Sequence, residues 1–343
     1  MNSRNGQRGE LDLLKLIRAR AAQVSPRATY RGLQRGIGDD CALLRVGPGE
    51  ELAVTTDLSI EGRHFRIAWH SPESIGHRTL ARGLSDLAAM GARPVAAFLS
   101  LGLPKTLVEN SRRREPWVDR FLSGFFILAN AYRVPLAGGD LAESPIAVAD
   151  IALAGAVGHG KALLRSGARP GHLVYVTGVL GGASAGLAQL EELAANRKSQ
   201  SGPPRIPGKL QSLLAPHLAP QPRIAQGRWL ARRGRASAAI DLSDGLSRDL
   251  AHLCEESRVA AEVDAQALPI HASATLAQAL HGGEDYELLF TAPPAVRVPH
   301  SIGGVRVTRI GRILRRHKGR PAVALVTAQD VQKLSPQGWE HFS

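Results

Sequence analysis

Apolar residues recur along the chain in two rhythms, at three-to-four-residue spacing and at every second position, and the changes between them lay out the elements. LDLLKLIRARAA places Leu11, Leu14, Ile17 and Ala21 on one face of an N-terminal helix. CALLRV and ELAVTTDLSI are short apolar segments joined by GPGE, a turn signal. They predict a strand pair, with Asp40 opening the first strand and Asp57 closing the second. In ESIGHRTLARGLSDLAAMG, Leu80, Leu84 and Leu87 fall at helical spacing, and Asp86 lies roughly 100° off that stripe. VAAFLSLGLP reads as a strand ended by proline and WVDRFLSGFFILANAYRV as a second helix. PLAGGDLAES reads as a glycine turn ending in Asp140, and PIAVADIALAGAVG as another strand.

The pattern then restarts. LLRSGARPGHLVYVTG is a linker followed by a strand, and VLGGASAGLAQLEELAAN is a glycine-rich turn leading into a helix. Residues 197–222, rich in Ser, Pro, Gln and Gly, read as a loop-like insert. SAAIDLSDGLSRDLAHLCEES is a strand, a turn and a helix with Leu246, Leu250 and Leu253 on one face. GGEDYELLFTAP is a turn and strand, and VRVTRIGRI is a last strand. Alternating helices and strands in both halves predict an α/β (α+β) fold of two domains, residues 1–157 and 158–343.

Composition narrows the picture. The 343 residues suffice for two domains, and an apolar share of 44% supports a core. The 43 Lys and Arg against 30 Asp and Glu give a net charge of +13, which suits nucleic acid, an anionic surface or phosphorylated small molecules. Aromatics are only 4%, poor for base stacking, and the basic residues are scattered, so nucleic acid is disfavoured. The two cysteines, Cys41 and Cys254, have no metal-type spacing. The N-terminal stretch lacks a signal-peptide apolar core, and no run approaches the roughly 20 apolar residues of a membrane span. A cytoplasmic protein with no membrane partner is expected.

The informative residues are acids beside glycines and strand ends: Asp40 after GIG, Asp57 in TTD, Asp86, Asp140 after GG, Asp241 and Asp244 around IDLSDG, and Glu284 and Asp285 after GG. One such acid is ordinarily a turn-former or N-cap. Six such settings in one chain point to cations that neutralise them, because like charges repel. Hard oxygen donors without a His or Cys cluster suit Mg²⁺, which completes its shell with water and substrate phosphates. Thr55 and Thr56 add oxygens beside Asp57.

No GxxxxGK[ST], no GxGxxG after a strand with a following acid, and no GxSxG occur, so a Walker loop, a Rossmann site and a serine hydrolase are unsupported. TGVLGGASAGL fits either phosphate held by backbone N–H groups at a helix start or close helix–strand packing. In GIGDDCALL, adjacent strand residues project to opposite faces, so Asp39 and Asp40 cannot share one role.

The ordered set GIGDDCALL, TTDLSIEGRHF, LSDLAAMGARP, LAGGD, LLRSGARPGHLVYVTG, IDLSDGLSRDL, GGEDYELLFT, IGRI and GWEHF resembles the thiamine-monophosphate kinase family, of the superfamily that includes aminoimidazole ribonucleotide synthetase. The resemblance runs from Gly36 to Phe342. It implies ATP-dependent phosphorylation of thiamine monophosphate to thiamine diphosphate, several Mg²⁺ ions, and K⁺ as a further candidate. It also implies a homodimer whose N-terminal sheets pair into a barrel, with a C-terminal α/β sandwich.

The metal ligands it implies are Asp40, Thr55, Thr56, Asp57, Asp86, Asp140, Asp241 and Asp244, with Asp57, Asp140 and Asp244 carrying catalysis. ATP falls to Gly139, Asp140, Arg165 and Ser243, and the thiamine phosphate to His64, Glu284 and Trp339. Asp39 is then left to fix the turn. Departures from the family pattern are Gly83, Gly182 and Leu141, where Asn, Asp and Thr are frequent. The 197–222 insert and the high basicity are unexplained by it. The rivals are another ATP-dependent member of the superfamily and a basic nucleic-acid-binding protein.

Overall fold

The structure, a computed structural model, describes residues 9–23, 32–37, 41–109, 115–196, 202–319 and 321–338. The fold is mixed α/β with two compact units. One comprises Met1–Gly83, Pro94–Ala156 and Leu193–Arg205; the other comprises Leu84–Arg93, Val157–Glu192 and Ile206–Ser343. Among the described residues no helix is long and apolar enough to cross a membrane.

The first unit begins with α1 (Glu10–Gln23), β1 (Leu33–Arg35), β2 (Leu43–Leu44) and β3 (Glu50–Ile60). It continues with α2 (Pro72–Ala89), β4 (Arg93–Leu103), α3 (Lys105–Val108), α4 (Trp117–Tyr132), β5 (Leu136–Glu143) and β6 (Val148–Gly158). Its main sheet has the order β3-β6-β4-β5. One sheet face is covered by Leu33, Ala42, Leu44 and Val46, packed on Val95, Ala96, Ala137, Ala154 and Ala156. Helices α2 and α4 approach closely enough to need glycine: a Cβ on Gly76 would stand 2.0 Å from the Phe121 carbonyl oxygen, and one on Gly124 would stand 1.9 Å from that of Glu73. An Arg120–Glu73 fork at 2.7 and 2.9 Å ties the same helices.

Four sequence expectations change here. Helix α1 buries Leu13 and Ile17 and leaves Leu11 exposed, because Arg20 on that stripe docks on α4 through the Asp119 carbonyl and Ser123 Oγ. The GPGE turn forms, with Glu50 N–H on the Gly47 carbonyl at 3.1 Å, but it does not make a hairpin. β2 pairs with β1, and β3 pairs with β6. Asp57 lies inside β3 rather than at its end. PLAGGDLAES is a strand, β5, running straight through Gly139 and Asp140 in parallel register with β4.

The second unit continues with β7 (Leu173–Thr177), α5 (Gly182–Ala195), α6 (Gln211–Leu218), α7 (Ile224–Ala231), β8 (Ala238–Asp241) and α8 (Leu246–Glu256). After these come β9 (Val259–Asp264), α9 (Leu276–His281), β10 (Leu288–Ala292), β11 (Ser301–Ile302), β12 (Val305–Arg315), β13 (Val323–Val326) and β14 (Val331–Lys333). The sheet order is β14-β13-β9-β12-β7-β10-β8, with β11 against β12. Leu246, Leu250 and Leu253 of α8 are buried against Val174, Val176, Ile240, Leu289, Ile310 and Ile313, as their spacing predicts.

VRVTRIGRI is not the last strand, since β13 and β14 follow, and β9 was hidden in a short small-residue run. The stretch read as a loop over 197–222 contains α6, where Leu214 and His217 are buried at i, i+3 spacing despite Pro216. Residues 197–201 lie outside the described residues.

Candidate functional site

In the first unit the acids are presented by the edges of the sheet. Alternation along β3 sends Thr55 and Asp57 to one face. Thr56 goes to the other with exposed Leu52, Val54 and Leu58, so its hydroxyl is turned away from Asp57. Arg82 of α2 reaches Asp57 Oδ1 at 3.2 Å and Ser59 Oγ at 3.4 Å. Asp140 stands exposed on β5, opposite Ser100 of β4. Gly139 before it has φ 147°, and a Cβ there would lie 1.8 Å from the Leu99 carbonyl oxygen. β3 and β5 are the two outer strands, so Asp57 and Asp140 are three strand spacings apart, about 14 Å along the sheet.

His64 Nδ1 accepts the Ile60 N–H at 3.0 Å, which places the imidazole proton on Nε2. Arg78 donates to the His64 carbonyl at 3.3 Å. Ser59, His64, Phe65, Ile75, Arg78, Thr79 and Arg82 line a cavity of about 10 Å³, room for one water. The surroundings are positive. His70 is driven down to about 3 by burial first and then by the charges of Arg78 and Arg66, so it is neutral near pH 7.

In the second unit a single turn gathers the acids. Asp241 ends β8, is buried, and accepts Ser85 Oγ at 2.7 Å, which joins it to the residue before Asp86. Ser243 and Asp244 follow in the turn before α8. That turn is held by Asp249, whose Oδ2 accepts the N–H groups of Ser243, Asp244 and Gly245 at 3.1, 3.2 and 3.1 Å. Burial, then the negative charges of Asp241 and Asp244, push the Asp249 carboxyl well above the usual carboxylate range, against the pull of those N–H bonds. Sequence reading passed over Asp249, although an acid on the Leu246–Leu250–Leu253 stripe was the signal.

Arg165 sits exposed in a 3-10 turn, Arg165–Gly167, whose backbone Ser257 Oγ holds through the Arg165 carbonyl at 2.5 Å. Glu284 is tied to the Ser243 carbonyl through its N–H at 2.8 Å. Glu284 and Tyr286 have φ of 65° and 50°, a conformation that strains non-glycine residues by about 1 kcal/mol or more each. Between them, Asp285 accepts the N–H groups of Gly181 at 2.6 Å and Ala183 at 3.1 Å. The helix-start amides of TGVLGGASAGL are therefore taken by a carboxylate of the chain. The turn is also closely packed, against α9 rather than a strand: a Cβ on Gly181 would lie 2.8 Å from the Ala279 nitrogen. Burial first, then Glu287 and Glu284, raise the Asp285 carboxyl to about 7.

Asp39, Asp40 and Trp339 lie outside the described residues. Among those described, no group of three or more His, Cys, Asp or Glu is gathered as metal ligands are. What the structure offers is one or two carboxylates at a time, at β3, at β5 and at the Asp241–Asp244 turn. Mg²⁺ takes that many, with water and phosphate completing its shell. The donors at these three places are oxygens, the kind a hard divalent ion takes.

Comparison with known proteins places the chain in a family. Residues 38–159 match the family model for the AIR synthase related protein, N-terminal domain, and 169–324 match the one for its C-terminal domain. The thiamine-monophosphate kinase of Salmonella typhimurium is 40% identical over 300 residues, 84% of this chain and 86% of that protein. The crystal structure of the thiamine-monophosphate kinase from Stenotrophomonas maltophilia K279a matches with a TM-score of 0.74 at 36% identity, covering 93% of this chain and 96% of that one. AaThiL complexed with AMPPCP and TMP matches with a TM-score of 0.71 at 30% identity over 97% of both chains.

Proposed function

Because the chain belongs to the thiamine-monophosphate kinases of the AIR synthase related family, we propose that it transfers the γ-phosphoryl group of ATP to thiamine monophosphate, giving thiamine diphosphate. The observation that carries this reading is that a relative matching nearly its whole length holds AMPPCP, an analogue of ATP, together with TMP. The acceptor is a phosphate, already anionic near neutral pH, so the reaction needs no general base. The barrier is the repulsion of two polyanions, and the protein's task is to neutralise and align them.

In the first unit, Asp40, Thr55, the Thr56 carbonyl, Asp57 and Asp140 would hold Mg²⁺; in the second, Asp86, Asp241 and Asp244 would do so. When bound, Mg²⁺ supplies positive charge to phosphate oxygens as the transferred group moves. Gly139 lets the backbone beside Asp140 come close to ATP, while Arg165 and Ser243 supply a guanidinium and a hydroxyl for its phosphates. His64, Glu284 and Trp339 receive thiamine monophosphate: Trp339 by stacking on a ring, Glu284 by accepting from an amino-bearing ring, and His64 from beside the Arg78–Arg82 cavity.

The active form is a homodimer. Supporting this, β3 is an edge strand carrying exposed Leu52, Val54 and Leu58 on one face, and an apolar outer strand of that kind is ordinarily covered. A second copy is the occupant the family resemblance implies. The enzyme works in the cytoplasm, where its nucleotide substrate is abundant.

Asp244→Asn tests the reading at one residue. The turn is held through backbone N–H groups by Asp249, so the fold and its melting point survive, while kcat falls by about a hundredfold or more with the lost charge. Near-normal turnover at saturating Mg²⁺ would contradict the assignment.

A further inference from the structure

The 197–222 stretch has no role in the chemistry above, yet it ends in a helix that reaches the acceptor side. His217, on α6, is 2% exposed. Its backbone side packs on α5, where a Cβ added to Gly186 would meet the His217 Cβ at 3.0 Å, and its neighbour Pro216 covers Gly182. Its ring turns toward Glu284, with Nδ1 and Oε2 3.4 Å apart, within ion-pair range but outside hydrogen-bond geometry. Glu284 is thus fixed twice: its N–H bonds the Ser243 carbonyl, and its carboxylate meets a buried imidazole.

A carboxylate has about four lone-pair sites, so the imidazole contact at Oε2 does not by itself fill it. A long, partly exposed side chain on a backbone of positive φ gains most from a partner that selects one rotamer, because that ordering is then complete before the ligand arrives. A buried ring anchored on two helices is such a partner, whereas an exposed lysine would carry its own disorder to the contact.

We propose that His217 is a positioning residue for the acceptor: it holds the Glu284 carboxylate in the orientation that receives the amino-bearing ring of thiamine monophosphate. This rests on the kinase reading given above. The insert then has a purpose, which is to deliver one imidazole behind the acceptor carboxylate.

The test is steady-state kinetics on the full-length protein, wild type beside His217→Leu, His217→Asn, Glu284→Gln and the Leu/Gln double variant. His217→Leu raises the KM for thiamine monophosphate about tenfold, the size of one charge-assisted contact, and leaves the KM for ATP within about twofold. His217→Asn, whose side-chain amide sits where Nδ1 does, restores the KM to within about threefold of wild type. In the Glu284→Gln background the Leu substitution adds nothing, because the two residues act as one unit.

The proposal is overturned by a KM for thiamine monophosphate that His217→Leu leaves unchanged, by equal rises for both substrates, or by additive effects in the double variant. If His217→Leu does not fold, the Asn variant and the Glu284 cycle built on it decide alone: a tenfold or larger KM rise in His217→Asn that persists undiminished with Glu284→Gln overturns the proposal. A wild-type protein with no activity on thiamine monophosphate removes the kinase reading, and this inference with it. An active wild type with an indifferent His217 removes the inference alone.

Discussion

Replacing Asp285 by Asn should remove the pH dependence of stability that this one residue imposes. The carboxyl gives up its proton near 3.8 in the unfolded chain and near 7 in the fold, where burial outweighs the N–H groups of Gly181 and Ala183. Below the lower value both states are protonated. Between the two values only the folded state holds the proton, so raising the pH costs stability until about pH 7. At roughly 1.36 kcal/mol per pH unit, the loss between pH 5 and pH 7 is about 3 kcal/mol. Asn is the uncharged counterpart of the protonated acid and has no such slope. Equilibrium urea denaturation of the two proteins at several pH values from 5 to 8 reads the difference directly. The variant should gain on the wild type by about 3 kcal/mol across that range, beyond the roughly 1.6 kcal/mol already gained between pH 3.8 and pH 5. A difference that stays constant with pH, or that moves in favour of the wild type as pH rises, would refute the reasoning.

Two further outcomes follow from the same geometry. Val54→Lys puts a charge in the middle of the exposed β3 stripe; if the proposed homodimer pairs through β3, sedimentation should show its Kd raised about a hundredfold, and a wild type that sediments as a monomer, or a variant that associates as the wild type does, would contradict that pairing. Gly76→Ala forces a methyl to within 2.0 Å of the Phe121 carbonyl, so α2 and α4 must separate; denaturation should show a loss of about 3 kcal/mol, and a neutral result would mean the helices pack less tightly than described.

What the sequence discloses is local and periodic. The Leu80–Leu84–Leu87 and Leu246–Leu250–Leu253 stripes announce α2 and α8, because a helix must bury one face wherever it docks. Which strand pairs with which is decided at long range. The GPGE turn looked like a hairpin, yet β3 pairs with β6, nearly a hundred positions on. The α1 face was misread for a similar reason: Leu11 and Leu13 are equally apolar, and only the Arg20 contact with α4 chooses between them.

At the site, the acids beside glycines were visible. Their holders were not. Asp249 lay in a segment read for its helix stripe and His217 in one read for its loop-like composition; Asp285 stood among the acids after GG, but its partners Gly181 and Ala183, over a hundred positions away, did not show. Alternation along β3 could have been applied to Thr55 and Thr56 as it was to Asp39 and Asp40, and it would have separated their hydroxyls without a structure.

The central claim is the identity of donor and acceptor. Purified protein incubated with ATP, Mg²⁺ and thiamine monophosphate, with products separated by HPLC, should yield thiamine diphosphate and ADP in equal amounts. Thiamine offered in place of its monophosphate should be a poor acceptor, because the attacking group is the phosphate. No thiamine diphosphate, or a preference for free thiamine, would contradict the account.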